Sequence, residues 1–251
     1  MSGHSKWANI KHRKAAQDAK KGAVFQKLVR AIMVAAKEGG ADPGMNIRLK
    51  ALIDKAKEAN MTNDTIDRAI KKGSGDLDGQ NYEEIYYEGY GPGGVAVLVE
   101  ALTDNKNRAS SELRFTFSRN GGSLGEAGCV AWMFERRGVI TVSGEGLDED
   151  ELMMNALESG ADDVENNEDG SFTIYCDPSS FPEVKEGLIG TGYRVETADV
   201  QMTPKNTVTV NDKLTASRLL RLLDLLEDLD DVQNVTANFD IPDEVMESLD
   251  S

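Results

Sequence analysis

Histidine and cysteine are almost missing from this chain of 251 residues, which has two of each. That scarcity argues against a structural zinc site, which needs four nitrogen or sulfur ligands at close spacing. Cys129 and Cys176 stand far apart with no C-x-x-C pattern, so they are expected as free thiols of a reducing compartment rather than as a disulfide. Long apolar runs are missing too. Stretches such as Ala31–Ala36 fall far short of the roughly 20 residues that span a bilayer. Lys27 and Arg30 interrupt the one hydrophobic region that could follow a basic start as a secretory signal. A cytoplasmic protein with no membrane association is therefore expected. Aromatic residues make up 6% of the chain and hydrophobic residues 39%. That is little, but enough to build one large domain or two to three small ones.

Charge is plentiful and unevenly distributed. The whole chain carries 28 Lys and Arg against 44 Asp and Glu, a formal net charge of −16. Met1–Gly75 holds 16 basic and 7 acidic residues, and Asp76–Ser251 holds 12 and 37. A segment of charge +9 thus precedes a body of −25. Such asymmetry points to a basic module facing nucleic acid or a membrane, carried on an acidic body.

Periodicity divides the chain further. Residues 1–13 read as a polar, basic arm. A helix follows over Ala15–Lys37, with Phe25, Leu28, Val29, Ile32 and Ala36 on one face. A second helix is expected to open at Asp42-Pro43 and carry Leu49, Leu52, Ile53 and Ala56. A third, capped by Thr62, carries Ile66, Ala69 and Ile70 and stops at Gly73. Ser74–Gln80 reads as a linker. Strands are expected at Tyr82–Glu88, Val95–Leu102, Val130–Glu135 and Val139–Val142, with a helix at Lys106–Ser118. From Val139 the order is strand, helix (Asp148–Ser159), strand, strand (Phe172–Cys176), helix (Ser179–Ile189), strand (Tyr193–Gln201). That is the βαββαβ order of a ferredoxin-like unit. A strand at Thr207–Val210, a helix at Lys213–Leu229 and a strand at Val232–Phe239 complete a second such unit with the earlier segments. The expected fold is α+β: an N-terminal three-helix domain (1–76) and two ferredoxin-like α/β sandwich domains, one discontinuous (77–137 with 204–251), the other inserted in it (138–203).

Three groups of residues could carry chemistry. The run Gly89-Tyr90-Gly91-Pro92-Gly93-Gly94 contains no lysine and enters a strand, so it is neither a P-loop nor a dinucleotide fingerprint. Gly89, Gly91, Gly93 and Gly94 are read as a backbone turn that needs positive φ, or as a close approach of backbone N–H groups to a phosphate. His4 and His12 lie in the arm without an orienting partner, so no general base can be assigned. The acidic clusters at 148–151, 162–163 and 224–231 suit helix starts and solvated faces better than metal binding. No enzyme, cofactor or metal is expected.

The third group is basic. Lys6, Lys11, Arg13, Lys14, Lys20, Lys21, Lys27, Arg30 and Lys37 are opposed before residue 38 only by Asp18. Phosphate is the natural counter-charge of so one-sided a run. Trp7, Asn9 and His12 interleave with it, and Trp7 is read either as a base-stacking group or as an anchor on the helices. Lys106, Arg108, Arg114, Arg119, Arg136 and Arg137 form a second set. These either extend the basic surface toward the helical domain or are scattered solvated arginines. Arg108, Phe115 and Arg119 lie away from the stripe formed by Ala109, Leu113 and Phe117.

Four segments carry a resemblance. Gly3-His4-Ser5-Lys6-Trp7-Ala8-Asn9-Ile10-Lys11-His12-Arg13-Lys14 resembles the opening signature of the YebC/PmpR family. Tyr87–Gly94, Asn105-Lys106-Asn107-Arg108 and Gly121-Gly122-Ser123-Leu124-Gly125 resemble further family segments, and the likeness runs nearly the full length. It implies a helical N-terminal domain with two α/β domains around a cleft, and a cytoplasmic, non-enzymatic role. The family includes proteins described as DNA-binding transcriptional regulators, a mitochondrial translational activator of cytochrome oxidase, and bacterial members implicated in relieving ribosome stalling at proline-rich stretches. Ala23 stands where the family usually has Lys, and Ala31 where it usually has an acidic residue.

The expected function is thus a nucleic-acid-binding regulator of gene expression that acts as a monomer or weak oligomer. The binding set is Lys6, Trp7, Asn9, Lys11, His12, Arg13, Lys14, Lys20, Lys21, Lys27, Arg30, Lys106, Arg108, Arg114 and Arg119. DNA in transcription and ribosomal RNA in translation both fit this set. A protein-interaction scaffold built on the leucine-rich helix and the acidic surface is a remoter reading.

Overall fold

The computed structural model describes residues 21–75, 81–144, 147–167 and 170–249. The fold is mixed α+β, the class expected from the sequence. Of the described residues, those of 13–129 and 217–235 form one compact unit, and those of 130–216 and 236–251 form the other.

The first unit begins with three helices, α1 (Lys21–Gly39), α2 (Ile47–Glu58) and α3 (Asn63–Ser74). Their apolar faces meet in a core of Ile32, Met33, Ala36, Leu49, Ile53, Ala56, Met61, Ile66 and Ala69, bordered by Phe25, Leu28, Leu52 and Ile70. Apart from Met33 and Met61, these are residues that helical spacing picks out. Helix α2 starts at Ile47, later than Asp42-Pro43 suggests. Asn46 is its cap: the Asn46 side chain accepts from Leu49 N at 3.0 Å and donates to the carbonyls of Ala35 and Gly40, both at 2.8 Å. One buried amide thus starts α2 and satisfies carbonyls at the end of α1. Thr62 caps α3 as expected. The helix runs one residue past Gly73 and ends at Gly75, which takes φ +88°. Gly73 instead marks a close crossing, because a Cβ there would stand 2.2 Å from the Met33 carbonyl oxygen.

The sheet of this unit has the order β3-β1-β2-β9, with β1 at Glu83–Tyr90, β2 at Ala96–Thr103, β3 at Ser123–Leu124 and β9 at Val232–Ala237. β1 pairs antiparallel with both β2 and β3. Every residue of β2 except Glu100 is buried. Helix α4 (Lys106–Arg119) buries Ala109, Leu113 and Phe117. Leu219, Leu222, Leu223 and Leu226 of α7 (Lys213–Glu227) are also buried, so its leucines serve the core.

In the second unit β4 (Phe134–Ser143), α5 (Glu149–Glu158), β5 (Asp163–Asn166), β6 (Ser171–Cys176), α6 (Phe181–Gly190) and β7 (Arg194–Pro204) follow one another. The sheet order is β5-β6-β4-β7, antiparallel throughout. Ile140, Val142, Leu152, Ala156, Ile174, Cys176, Val184 and Leu188 fill the layer between sheet and helices. The two strands expected at 130–135 and 139–142 are a single one. Residues Ala131–Met133 make a 3-10 turn, and β4 then runs unbroken through Gly138. Gly138 does not break the strand, because it makes room for neighbours. A Cβ there would lie 2.5 Å from Cys176 Sγ and 2.8 Å from the Phe181 ring. A short parallel pair, β8 (Val208–Thr209) with β10 (Phe239–Asp240), and α8 (Asp243–Leu249) complete the unit. Both cysteines are free thiols.

Candidate nucleic-acid interface

Lys6, Trp7, Asn9, Lys11, His12, Arg13, Lys14 and Lys20, with the part of the first expected helix before Lys21, lie outside the described residues. Lys21 is placed as the first residue of α1. The other basic candidates, Lys27, Arg30, Lys106, Arg108, Arg114 and Arg119, all fall in the first unit and separate into two kinds. Arg136 and Arg137 belong to the second unit, where Arg137 lies 5.0 Å over the Tyr175 ring and 3.5 Å from Asp162.

The first kind is engaged by the protein itself. Lys27 Nζ donates to the Glu227 carbonyl at 2.6 Å. Arg30 donates to the Asp230 carbonyl and stands 3.5 Å from the Asp231 carboxylate. Its guanidinium also lies 5.5 Å over the Tyr82 ring. Lys106 pairs with Glu83 at 2.7 Å, which lowers the Glu83 carboxyl below its ordinary range and raises the Lys106 ammonium above its own. Arg108 Nη2 donates to Asp231 Oδ2 and to Asp104 Oδ1, both at 2.8 Å. These hydrogen bonds, led by that to Asp231, push the Arg108 guanidinium above its ordinary value. Arg30 and Arg108, remote in sequence, therefore converge on one carboxylate.

Asp231 is 4% exposed and also accepts from Thr103 Oγ1 at 2.9 Å. A buried carboxylate is tolerable only with such a full set of donors. The knot joins the helical bundle (Arg30), the end of β2 (Thr103), the start of α4 (Arg108) and the turn after α7. Arg48 on α2 adds a further tie, pairing with Glu38 at 2.9 Å and with Glu84 on β1. Sequence reading places Asp231 in a solvated acidic run, and only the tertiary structure reveals its role.

The second kind consists of Arg114 and Arg119. Both are exposed, and neither makes an ion pair among the described residues. Arg119 lies 5.4 Å over the ring of Phe115, which is itself 61% exposed. At 100° per residue Asn107, Ser111, Arg114, Phe115, Ser118 and Arg119 share the side of α4 opposite Ala109, Leu113 and Phe117. Glu112 is the one acidic residue of α4. The helix is anchored at its N-terminus by Asn105, whose side chain accepts from Arg108 N at 3.1 Å. Phe115 belongs with these arginines, and its position opposite the core stripe was the sequence signal for that.

The glycine run is a turn held by the protein's own groups. Gly93 and Gly94 take φ of +77° and +76°. Gly91 N donates to Val95 O at 2.8 Å, and Gly94 N to Gly91 O at 3.2 Å. A Cβ on Gly89 would meet Ser123 O at 2.6 Å and the Phe117 ring at 2.9 Å, and one on Gly91 would meet Leu219 at 3.0 Å. The following loop is pinned by buried Glu88, whose carboxylate accepts from Gly128 N at 2.6 Å and whose carbonyl accepts from Gly125 N at 2.7 Å. Among the described residues no cluster of three His, Cys, Asp or Glu could hold a metal ion, and no helix is long and apolar enough to cross a membrane.

A mixed α+β architecture with a helical N-terminal part and an arginine-bearing outer helix face is the class of protein that these observations define. Residues 5–76 match the model of the TACO1/YebC N-terminal domain, and residues 82–239 match that of the TACO1/YebC second and third domain. The chain belongs to the TACO1/YebC family. It is 56% identical over 251 residues to a probable transcriptional regulatory protein of Halothermothrix orenii, with 99% of each chain covered. It is 55% identical over 250 residues to one of Fusobacterium nucleatum, covering all of both. The crystal structure of a conserved hypothetical protein from Aquifex aeolicus superposes with a TM-score of 0.82 at 48% identity, over 91% of this chain and 94% of that one. The resemblance carried by the four sequence segments is thereby established as family membership.

Proposed function

We propose that the protein is a non-enzymatic, nucleic-acid-binding regulator of gene expression, acting on transcription by binding DNA. One observation carries this reading: among the described residues Arg114 and Arg119 stand on the outer face of α4 without acidic partners, beside the exposed ring of Phe115, whereas Arg30, Lys106 and Arg108 are paired within the protein. Exposed guanidinium groups on a rigid helix suit phosphate oxygens, and the acidic body limits nonspecific attraction elsewhere. The basic residues from Lys6 to Lys21, with Trp7, Asn9 and His12 among them, add their charge to the same task. Lys27, Arg30, Lys106 and Arg108 act as positioning residues that hold the helices which present this surface. The relatives named as probable transcriptional regulatory proteins support the assignment. We take the chain to work in the cytoplasm as a monomer without cofactor, and to divide into domains at 1–76, 77–137 with 204–251, and 138–203.

The test is a mobility-shift titration at physiological salt with promoter fragments and random duplex of equal length. Preferential retardation of a promoter fragment, lost in the double variant Arg114→Glu/Arg119→Glu, is the expected result. No preference for a promoter fragment over random duplex would refute the proposal.

A second reading, an RNA-associated translation factor, is favoured by Phe115. An exposed ring among arginines suits unpaired bases, which ribosomal RNA displays and duplex DNA does not. Co-sedimentation with ribosomes, lost when Lys6, Lys11, Arg13 and Lys14 become Glu, is the outcome expected on that reading.

A further inference from the structure

We infer that the outer face of α4 is a stacking site for an unpaired nucleotide, with Phe115 receiving the base, Arg119 closing over the ring and Arg114 meeting a neighbouring phosphate. The inference rests on the nucleic-acid binding proposed above and adds a single-stranded ligand at the Phe115 ring to the phosphates that the arginines of this face would meet.

Its first support is the ring itself. Phe115 is 61% exposed while Phe117, two residues on, is fully buried. An isolated exposed aromatic is unremarkable on a surface. This one is not isolated, because Arg119 lies 5.4 Å from its centroid one helical turn away. The pair places a guanidinium over an exposed aromatic ring, and base stacking uses both components. The second support is the company on that face. Asn107, Ser111, Ser118 and Arg114 share it, so a stacked nucleotide would find hydroxyl, amide and guanidinium groups within a turn. Ser111 Oγ donates to the Asn107 carbonyl at 2.7 Å and Ser118 Oγ donates to that of Arg114, which orients both side chains along the helix. The third support is the shape of the alternatives. A duplex offers phosphates and base edges, and its base faces are stacked on one another. A phenylalanine ring at the centre of the surface gains little from edges and much from a free face.

The experiment measures fluorescence anisotropy of the full-length protein with three labelled probes of about 12 nucleotides, a length within the span of one single-strand-binding module. The probes are oligouridylate, oligothymidylate and a blunt duplex. Wild type is expected to bind at least one single strand more tightly than the duplex. Phe115→Ala should weaken single-strand binding roughly 5- to 100-fold, the loss of one base-aromatic stack, and leave duplex binding unchanged. Phe115→Trp should retain or tighten it. Because Phe115 is exposed, circular dichroism of Phe115→Ala should match wild type. Equal affinity of Phe115→Ala and wild type for both single strands would overturn the stacking site while leaving the nucleic-acid function intact. A parallel loss on the duplex would likewise overturn it, since phosphate contact alone would then explain the surface. No binding of any probe by wild type would remove both the inference and the function on which it rests.

Discussion

The Nη2 atom of Arg108 stands 2.8 Å from Oδ2 of Asp231, although 123 residues separate the two in the chain. Arg30 reaches the same carboxylate at 3.5 Å. Two arginines that sequence reading assigned to phosphate binding thus spend their charge on a carboxylate of their own chain. That exchange changes which cations can meet a ligand, and it explains why an acidic run after α7 stands beside a basic helical bundle.

Replacing Asp231 by Ala should be severely destabilising. The side chain is 5% exposed and holds Arg30, Arg108 and Thr103 together. Removing one partner of a buried pair strands the other charges. Arg108 is 44% exposed, so its share is screened by water. A loss of about 2–4 kcal/mol is expected, below that of a fully buried pair. Urea denaturation of the wild type and of Asp231→Ala measures it. Glu83→Gln, which removes the exposed partner of Lys106, should leave the midpoint essentially unmoved. Equal midpoints for Asp231→Ala and wild type would show that the knot contributes nothing.

Gly73→Ala reverses a common rule. In an exposed helix interior, alanine is favoured over glycine by about 1 kcal/mol. Here the new methyl group would meet the Met33 carbonyl oxygen at 2.2 Å and Met33 Cα at 2.8 Å. Those are backbone atoms, which cannot swing aside, so α1 and α3 must separate. A net loss of about 1–3 kcal/mol is expected. Thermal unfolding followed at 222 nm checks the sign, since an increase in Tm would mean that the helices do not cross so closely.

Much of this fold was legible because local rules and tertiary packing agreed. Helical spacing named Ile32, Leu49, Ile53, Ile66 and Ala69, and the structure buries them together. Thr62 signalled its cap directly. Asn46 did not, because its value lies in reaching back to Ala35 and Gly40 across a turn. Pro43 misled for the converse reason: proline suits a first helical turn, but here it occupies the turn before the helix. Val130–Glu135 has strand-forming residues, yet a 3-10 turn takes its first half. At the candidate site, sequence reading could place Arg108, Phe115 and Arg119 off the core stripe. It could not separate Arg108, matched to Asp104 and Asp231, from Arg119, which lies over a ring and has no ion pair among the described residues. That distinction depends on a residue more than a hundred positions away.

Cys176 should make stability fall at alkaline pH. Burial pushes its thiol from an ordinary 9.0 up to about 11. Within that interval the unfolded chain has released the proton while the folded chain still holds it. The contribution is therefore complete below pH 9 and is lost as pH rises toward 11, with a size of about 1–3 kcal/mol. Comparing the pH dependence of unfolding in wild type and Cys176→Ala isolates it from other groups that titrate there. The variant's stability should fall less steeply over this window. Parallel slopes would mean that the thiol is not held neutral by the core.

Arg114 and Arg119 give the sharpest discrimination between surface and scaffold. If each meets a phosphate, Arg114→Glu/Arg119→Glu lowers affinity and also flattens the dependence of log K on log salt. The slope should fall by about 2 on duplex and somewhat less on a single strand, because each neutralised phosphate releases close to one counterion. The variant's denaturation midpoint should stay at the wild-type value, since neither guanidinium is paired with a carboxylate among the described residues. Lys27→Ala should behave oppositely. Its ammonium donates to the Glu227 carbonyl at 2.6 Å, so its loss moves the midpoint more than the salt slope. The two variants together ask whether a cation serves the ligand or the fold. A reduced salt slope in Lys27→Ala with an unchanged midpoint would move it from the scaffold to the binding surface.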